Sequence, residues 1–590
     1  MRYGKGDVSH PDNACYTHSM SKPYQVARVL NEKERENLAK YDNLVSHLLF
    51  HRGFTTNEEA DKFLIPDYEN GVHDPFLLKD AERSADRIIK SIKNGEKIAI
   101  YGDYDADGIP ASAIFHDFFK RIGYKNFSIY IPHRHDEGFG LNKEAIEQLS
   151  GEKVDLLITV DCGITDIEPV TLANKLGMEV IITDHHEPPA SLPAAFAIID
   201  HKQIDCNYPD KNLCGSGIVF KLIQAILKRD RLGLKDGHEK WLLDLVGIAT
   251  LSDMVPLIGE NRIFAHYGLA VLRKSPRKGI VELLRKLKID QRYLNEDDIA
   301  FMITPRINAA SRMGQPMDAF NLLIADNDID ANHYADHLDK INNERKGVVA
   351  SLVKEVKKIL HERYRDEVPK VIVLGNPLWR PSLLGLVANT CAEEYDRPAF
   401  FWGRDGDGVI KGSCRSEGRT NVVELMRASL PETFSQFGGH KHSGGFAVSS
   451  SEIHFLEQRL TEAVHSLSVE EKLSQKNIDA ELSVDEVNEK LQRDLDKLAP
   501  FGVGNPKPVF LFRNVQPVSV RKFGKTGDHV ELIFKKSSGS KVSAIAFFGA
   551  KEKWAEKIKI DSPIDLLASI EKSMFRGRAE IRLRIVDVIL

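Results

Sequence analysis

Between residues 97 and 199 the chain carries five short apolar runs, 97–101, 127–131, 154–160, 179–183 and 196–199, mostly separated by helical runs. Short strands that alternate with helices leave few options: they form a parallel sheet covered on both faces. Functional groups of such a sheet gather just beyond the carboxyl ends of its strands. Here those ends are acidic. The first run breaks at Gly102 into D-Y-D-A-D-G, which sets Asp103, Asp105 and Asp107 at alternate positions. Carboxylates this close repel one another unless a cation or a raised pKa offsets the repulsion. Turn chemistry is the other source of an Asp- and Gly-rich stretch. A calcium-binding loop is excluded, because the twelfth position counted from Asp103 is Ile114 rather than Glu.

Three later segments carry metal-type residues. The run 154–160 leads into Asp161, the run 179–183 leads into Asp184, His185 and His186, and Asp253 lies in L-S-D-M-V-P-L. Each alone fits a helix cap or a hydrogen-bonded core histidine. Their shared position at one edge of one expected sheet points to a metal centre instead. Carboxylates with one or two imidazoles suit Mn²⁺, Mg²⁺ or Zn²⁺. The six cysteines form no C-x-x-C pair, which argues against a structural zinc site or a disulfide framework and for a reducing compartment. An Asp-rich site for two ions fits hydrolysis of a phosphate ester.

The 590 residues suffice for three to five domains. No apolar run approaches the roughly 20 residues that span a bilayer, so no membrane partner is expected. The first twenty residues lack a secretory h-region. Two readings stay open: a disordered leader beginning at Met1, or a start placed too early with translation beginning at Met20. Residues 1–75 read as a helical lead-in and 76–328 as the first α/β domain. The charged run 329–368 reads as a connecting helix, a solvated spacer. A second α/β unit spans 369–465, with glycine-rich turns at 403–408 and 438–445. From 466 to about 497 a helical linker is expected, and then alternating segments suggest a small antiparallel barrel. The net charge is −5, yet residues 501–590 hold 17 Lys and Arg against 9 Asp and Glu, the footprint of a nucleic-acid contact.

G-D-Y-D-A-D-G at 102–108, V-D-C-G at 160–163, D-H-H at 184–186 and L-S-D-M-V-P-L at 251–257 resemble the ordered motifs of the DHH phosphoesterase superfamily. P-H-R-H-D-E-G-F-G-L at 132–141, L-C-G-S-G-I at 213–218 and P-R-I-N-A-A-S-R-M at 305–313 narrow the resemblance to its RecJ-type exonucleases. G-S-C-R-S at 412–416 and F-G-G-H at 437–440 resemble the DHH-associated domain, and P-F-G-V-G-N-P-K-P-V-F at 500–510 resembles the opening of an oligonucleotide-binding (OB) barrel.

The resemblance implies an α/β protein: a parallel-sheet DHH domain joined by a long helix to a smaller α/β DHH-associated domain, followed by an all-β OB-fold barrel. It implies two divalent ions, Mn²⁺ or Mg²⁺. Asp105 and Asp107 would each bind one, Asp161 would bridge both, His185 and Asp253 would complete the coordination of the second ion, and Asp103 would lie in or beside that of the first. Some members carry a His two positions before Asp103, where this chain has Tyr101. His186 would stabilise the scissile phosphate, with Asp184 orienting a neighbouring histidine. Arg306, Asn308 and Arg312 from the first domain, and Ser413, Arg415 and His440 from the second, would hold phosphates. Arg134 and Phe139 flank an acidic-glycine turn and would bind substrate, Phe139 as a stacking platform for a base. The implied activity is processive hydrolysis of single-stranded DNA from the 5′ end to 5′-mononucleotides, in repair and recombination. A cytoplasmic monomer is implied, with a helicase and a single-strand-binding protein as candidate partners. Two alternatives stay open: a phosphodiesterase acting on short oligonucleotides or cyclic dinucleotides, and a catalytically silent DNA-binding relative.

Overall fold

The computed structural model describes residues 24–365, 367–404, 408–418, 420–467, 476–573 and 579–590. The expected leader lies outside the described residues, as does part of the turn expected at 403–408. The chain divides into two units: Pro66–Val469 with Pro500–Asn505, and the described parts of Met1–Ile65, Glu470–Ala499 and Pro506–Leu590.

The larger unit contains the expected sheet, which follows the helix Ala81–Asn94. Its strands are β1 (Ile98–Gly102), β2 (Phe127–Tyr130), β3 (Leu156–Val160), β4 (Glu179–Thr183) and β5 (Ala197–Ile199), in the order β2-β1-β3-β4-β5. Every pair is parallel. β1 and β3 are buried at every position, as continuous apolar runs covered on both faces must be. One face packs on helices α1 (Gly108–Arg121), α2 (Gly215–Arg229) and α3 (Leu243–Ser252), which fill the main core. Two glycines bring α1 against the end of β1. A Cβ at Gly108 would stand 2.5 Å from the Asp103 carbonyl oxygen, and one at Gly102 would stand 2.1 Å from Ser112 Oγ.

Helix α4 (Thr304–Met313) follows a π-helical stretch at Asp298–Ile303 and packs on α5 (Asp328–Tyr364), the expected connecting helix. At 1.5 Å per residue α5 is roughly 55 Å long. Ala335, Leu338 and Ile341 join the core of the first domain, while Val356 and Leu360 join that of the second. The helix is therefore half built into each domain rather than solvated along its length.

The second domain holds β6 (Ile372–Gly375), helix α6 (Pro381–Tyr395), β7 (Ala399–Arg404), β8 (Ile410–Arg415), β9 (Gln436–His440) and β10 (Ser443–Val448), with sheet order β9-β10-β8-β7-β6. The stretch 438–445, read above as a glycine-rich turn, is instead the β9–β10 hairpin, paired antiparallel from Gln436↔Ala447 to His440↔Ser443. Gly439 serves close approach between the strands: a Cβ there would stand 2.3 Å from the Ser443 carbonyl oxygen.

In the smaller unit, residues 476–478 and 480–481 are strands, and within the described part of the expected linker beyond 475 the α-helix is Glu489–Asp496. The strand Lys476–Ile478 pairs in parallel with Tyr24–Val26, so the lead-in also contains a strand. The C-terminal sheet has seven strands among the described residues. It is mainly antiparallel, with parallel pairings at Ala480↔Phe510 and Ala544↔Leu583.

Candidate active site

All the acidic residues singled out in the first domain lie at the carboxyl edge of the parallel sheet or at a helix end facing it. Asp103 leaves β1, its N–H donating to the Val160 carbonyl, and Asp161 leaves β3 with its N–H on the Thr183 carbonyl. Asp161 adopts φ +64°, a conformation that Asp and Asn tolerate better than other residues with a side chain. Helix α2 starts against it: a Cβ at Gly215 would stand 2.4 Å from Asp161 Oδ1. Gly215 thus admits the carboxylate. The same helix start fixes Asp107, whose two oxygens accept from the N–H groups of Gly215 at 2.6 Å and Ser216 at 2.7 Å, orphan donors of a helix N-terminus. Asp105 Oδ1 accepts from the N–H groups of Asp107 and Gly108. Asp253 follows the last residue of α3.

The ligand atoms fall into overlapping groups, each within 4.8 Å: Asp103, Asp105 and Asp161; Asp107, His185 and Asp253; and Asp161, His185 and His186. His185 Nε2 lies 3.2 Å from Asp161 Oδ1 and 3.8 Å from both Asp107 Oδ2 and Asp253 Oδ2. Asp161 and His185 each belong to two of these groups, and together they link all three.

Crowding in a buried place perturbs these groups. Burial, followed by the charge of Asp105, pushes Asp107 up to about 6 and Asp103 well above the usual carboxylate range. Burial, followed by Asp107 and Asp105, raises Asp161 and Asp253 in the same direction. Burial and the neighbouring His186 hold His185 at about 3, so its imidazole is neutral. Burial opposes the charge on His186, but the hydrogen bond and charge of Asp184 outweigh it and bring His186 to about 9. Asp184 Oδ1 accepts from the His185 and His186 N–H groups and lies 2.7 Å from His186 Nδ1, while Oδ2 accepts from Ile164 N–H. Adjacent histidines thus carry opposite characters: one a neutral lone-pair donor, the other a cation.

Asp103 Oδ1 and Asp161 Oδ1 are buried and accept no hydrogen bond. A buried carboxylate oxygen without a donor is costly, and carboxylates with one imidazole are a donor set for Mg²⁺ or Mn²⁺. The residues fit a pair of divalent ions. Tyr101, by contrast, belongs to the opposite face of β1. It is buried, stacks on Tyr130 with ring centroids 5.1 Å apart and donates to the Gly140 carbonyl.

A cavity of 680 Å³ opens beside this centre, lined by Tyr104, Arg134 and Phe139 of the first domain and by Ser382, Ser413 and Phe437 of the second. Phe139 is 50% exposed and meets His186 edge-on at 5.6 Å. The Arg134 guanidinium lies over the Tyr104 ring at 4.8 Å. Arg312 Nη1 donates to the Ser382 carbonyl at 2.8 Å, which ties α4 to the start of α6. Burial, then the positive charges of Arg134, Arg345 and Arg415, lower Arg312 to about 9. Of these arginines Arg134 lines the cavity, and the charges of all three neighbours bear on Arg312, so positive potential is concentrated there.

Three expected phosphate contacts are placed otherwise. Arg306 is buried, and its Nε and Nη2 donate to Asp339 of α5 at 3.0 and 2.7 Å. Its charge is thus engaged by the connecting helix, away from the cavity. Asn308 Oδ1 accepts from Ala106 N–H at 3.0 Å, so it braces the aspartate loop. His440, at the exposed end of β9, is not among the cavity-lining residues; Arg312 and Arg415 are not either, but Arg312 is bonded to the lining residue Ser382, and Arg415 shares the surroundings of Gly385 with the lining residue Ser413. Sequence reasoning missed Arg345. It sits in a run of charges whose pattern does not separate it from its solvated neighbours.

Comparison with known proteins agrees along the chain. Residues 97–250 match the DHH family N-terminal domain, 369–468 the DHHA1 domain and 478–587 the RecJ OB domain. The single-stranded-DNA-specific exonuclease RecJ of Bacillus subtilis (strain 168) is 34% identical over 546 residues, covering 92% of this chain and 67% of the relative. The enzyme of the same description from Haemophilus influenzae is 30% identical, covering 85% of this chain and 89% of the relative. Among solved structures, RecJ in complex with Mn²⁺ from Thermus thermophilus superposes with a TM-score of 0.79 at 26% identity, covering 96% of this chain and 79% of that one.

Proposed function

Because the chain belongs to the RecJ family of single-stranded-DNA-specific exonucleases, we propose that its aspartate-rich centre holds two divalent ions, Mn²⁺ or Mg²⁺, and hydrolyses single-stranded DNA. The observation that carries this reading is the pair of unpartnered carboxylate oxygens on Asp103 and Asp161, buried among ligands that press on one another. Asp103 and Asp105 would hold one ion, Asp107, His185 and Asp253 the other, and Asp161 both. When bound, the ions supply Lewis acidity, activating water and neutralising charge on the phosphate oxygens.

The protein's own groups do the rest. His186, kept protonated by Asp184, presents a positive charge to the phosphate under attack and stabilises the charge that develops there. Asp184 fixes the ring by holding Nδ1, which leaves Nε2 for substrate. Arg134, Arg312, Ser413 and Arg415 hold the 5′ end in the cavity, where Arg forks suit phosphate oxygens. Phe139, half exposed beside His186, offers a face for the terminal base. Cleavage proceeds from the 5′ end and releases 5′-mononucleotides processively, with the basic C-terminal sheet following the backbone. No described helix is long and apolar enough to cross a membrane. We place the protein in the cytoplasm, working as a monomer in repair and recombination beside a helicase and a single-strand-binding protein.

Relative turnover of a dinucleotide and a thirty-nucleotide single strand tests the substrate class. The long strand is expected to be the better substrate. A clear preference for the dinucleotide would make the protein a small-substrate phosphodiesterase.

A further inference from the structure

Helix α5 carries a cationic face that the catalytic reading leaves unused. Asp339, Asn342, Arg345 and Lys346 lie within two turns of one another, beside α4. Asp339 is occupied by Arg306 and also accepts from Asn343 Nδ2. Arg345 makes no ion pair among the described residues; its Nε and Nη2 both donate to Asn342 Oδ1, at 3.2 and 3.0 Å. Asn342 is fully buried, and turning its oxygen to Arg345 leaves its Nδ2 with no acceptor. A buried donor without a partner costs stability, and here the cost holds a guanidinium in one orientation. Lys346 is exposed and likewise has no ion pair among the described residues. The cluster of Arg306, Arg345 and Lys346 therefore faces one carboxylate. Burial and the charge of Arg306 lower both Arg345 and Lys346, Arg345 adding to the effect on Lys346, and Arg345 in turn presses on Arg312 beside the cavity.

Unbalanced positive charge, with one member fixed by a buried amide, is the arrangement of a site for an anion. We propose that Arg345 and Lys346 of the connecting helix bind backbone phosphates of the single strand, separate from the 5′ phosphate beside Arg312 and Arg415. Helix α5 then sets the register of the strand as well as joining the two domains. Arg345, pre-oriented by Asn342, grips one phosphate, and Lys346, exposed and unfixed, adds a second charge. This rests on the exonuclease reading for the identity of the polyanion.

The test is the salt dependence of binding to a thirty-nucleotide, 3′-labelled single strand in Ca²⁺, followed by fluorescence anisotropy. Each phosphate contact on a single strand contributes about 0.7 to the slope of log K against log salt concentration. Arg345→Gln with Lys346→Gln is expected to flatten the slope by about 1.4, and Lys346→Gln alone by about 0.7. Lys358→Gln, an exposed lysine on the same helix beyond the cluster, leaves the slope as it was. If the double variant does not fold, the exposed Lys346→Gln carries the test. An unchanged slope in a protein that still degrades DNA overturns the role of α5 and leaves the exonuclease reading intact. A flattened slope in the variants, with a wild type that releases no nucleotide with Mn²⁺, supports α5 and removes the exonuclease.

Discussion

Removing the metal should make the larger unit pH-sensitive in a direction opposite to ordinary acid denaturation. Asp107 is the group for which the size of the effect follows from the structure. Burial and Asp105 raise it from 3.8 in the open chain to about 6 in the fold. At about 1.4 kcal/mol for each tenfold change in acidity, this is about 3 kcal/mol. Because the folded value exceeds the open-chain value, the contribution to stability is complete below pH 3.8 and is lost as the pH rises through about 6. Asp103, Asp161 and Asp253 are raised as well, so they act in the same direction. Bound cations reverse the situation, since each ionised carboxylate then faces a positive charge, and binding releases protons. The assay is urea unfolding of EDTA-treated and Mn²⁺-loaded protein at pH 5, 6, 7 and 8. Part of the Asp107 contribution is already lost at pH 5, so the stability gap is expected to widen by at least about 1.4 kcal/mol across that range. Taking the difference between the two states cancels the titration of the rest of the chain. A gap that stays constant from pH 5 to 8, or narrows, refutes the reasoning that the carboxylates are held ionised by the ions.

Other perturbations test single parts of the centre. Gly215→Ala places a methyl group where Asp161 Oδ1 lies 2.4 Å away; displacing that carboxylate is expected to cost roughly 100-fold in rate and to raise the Mn²⁺ concentration giving half-maximal activity. Wild-type metal dependence in this variant would place Asp161 outside the ligand set. Asp184→Asn removes the anion that keeps His186 protonated up to about 9. In the wild type the protonated form prevails at pH 7–8 and is lost as the pH rises through that value, whereas in the variant it should be lost near the ordinary histidine value of about 6.5. Activity relative to wild type should therefore fall more at pH 8 than at pH 6, and equal losses at both would assign Asp184 a purely structural role.

How far the sequence could be read depended on whether a residue's role was local. Asp103, Asp107, Asp161 and His185 follow strands whose apolar runs are evident, and a parallel sheet brings such ends to one edge whatever the rest of the chain does. That edge held the centre. Arg306 shows the limit: its position on α4 was legible, but its partner Asp339 stands 33 residues further along, on another helix. Ion pairs between helices follow from packing and leave no local signal. Residues 476–478 form a strand because they pair with Tyr24–Val26, more than 400 residues away, while their charged surroundings suggest a helix. The glycines of 438–445 fitted a turn equally well; only the pairing of Phe437 with Phe446 makes them a hairpin. Tyr101 could be placed on neither face from its spacing to Asp103 alone, until its stacking on Tyr130 showed it pointing away from the aspartates.

The central claim is that Asp161 joins two ion sites that cut single-stranded DNA from the 5′ end. Asp161→Asn is the direct test, because Asn tolerates the φ of +64° and changes charge at nearly constant volume. The measurement is release of mononucleotide from 5′-labelled and 3′-labelled single strands with Mn²⁺, alongside binding of the same strands. The wild type should release the 5′ label at once and the 3′ label only after a lag. The variant should bind the strand nearly as well and release neither. Wild-type cleavage by Asp161→Asn, or prompt release of the 3′ label by the wild type, would contradict the account.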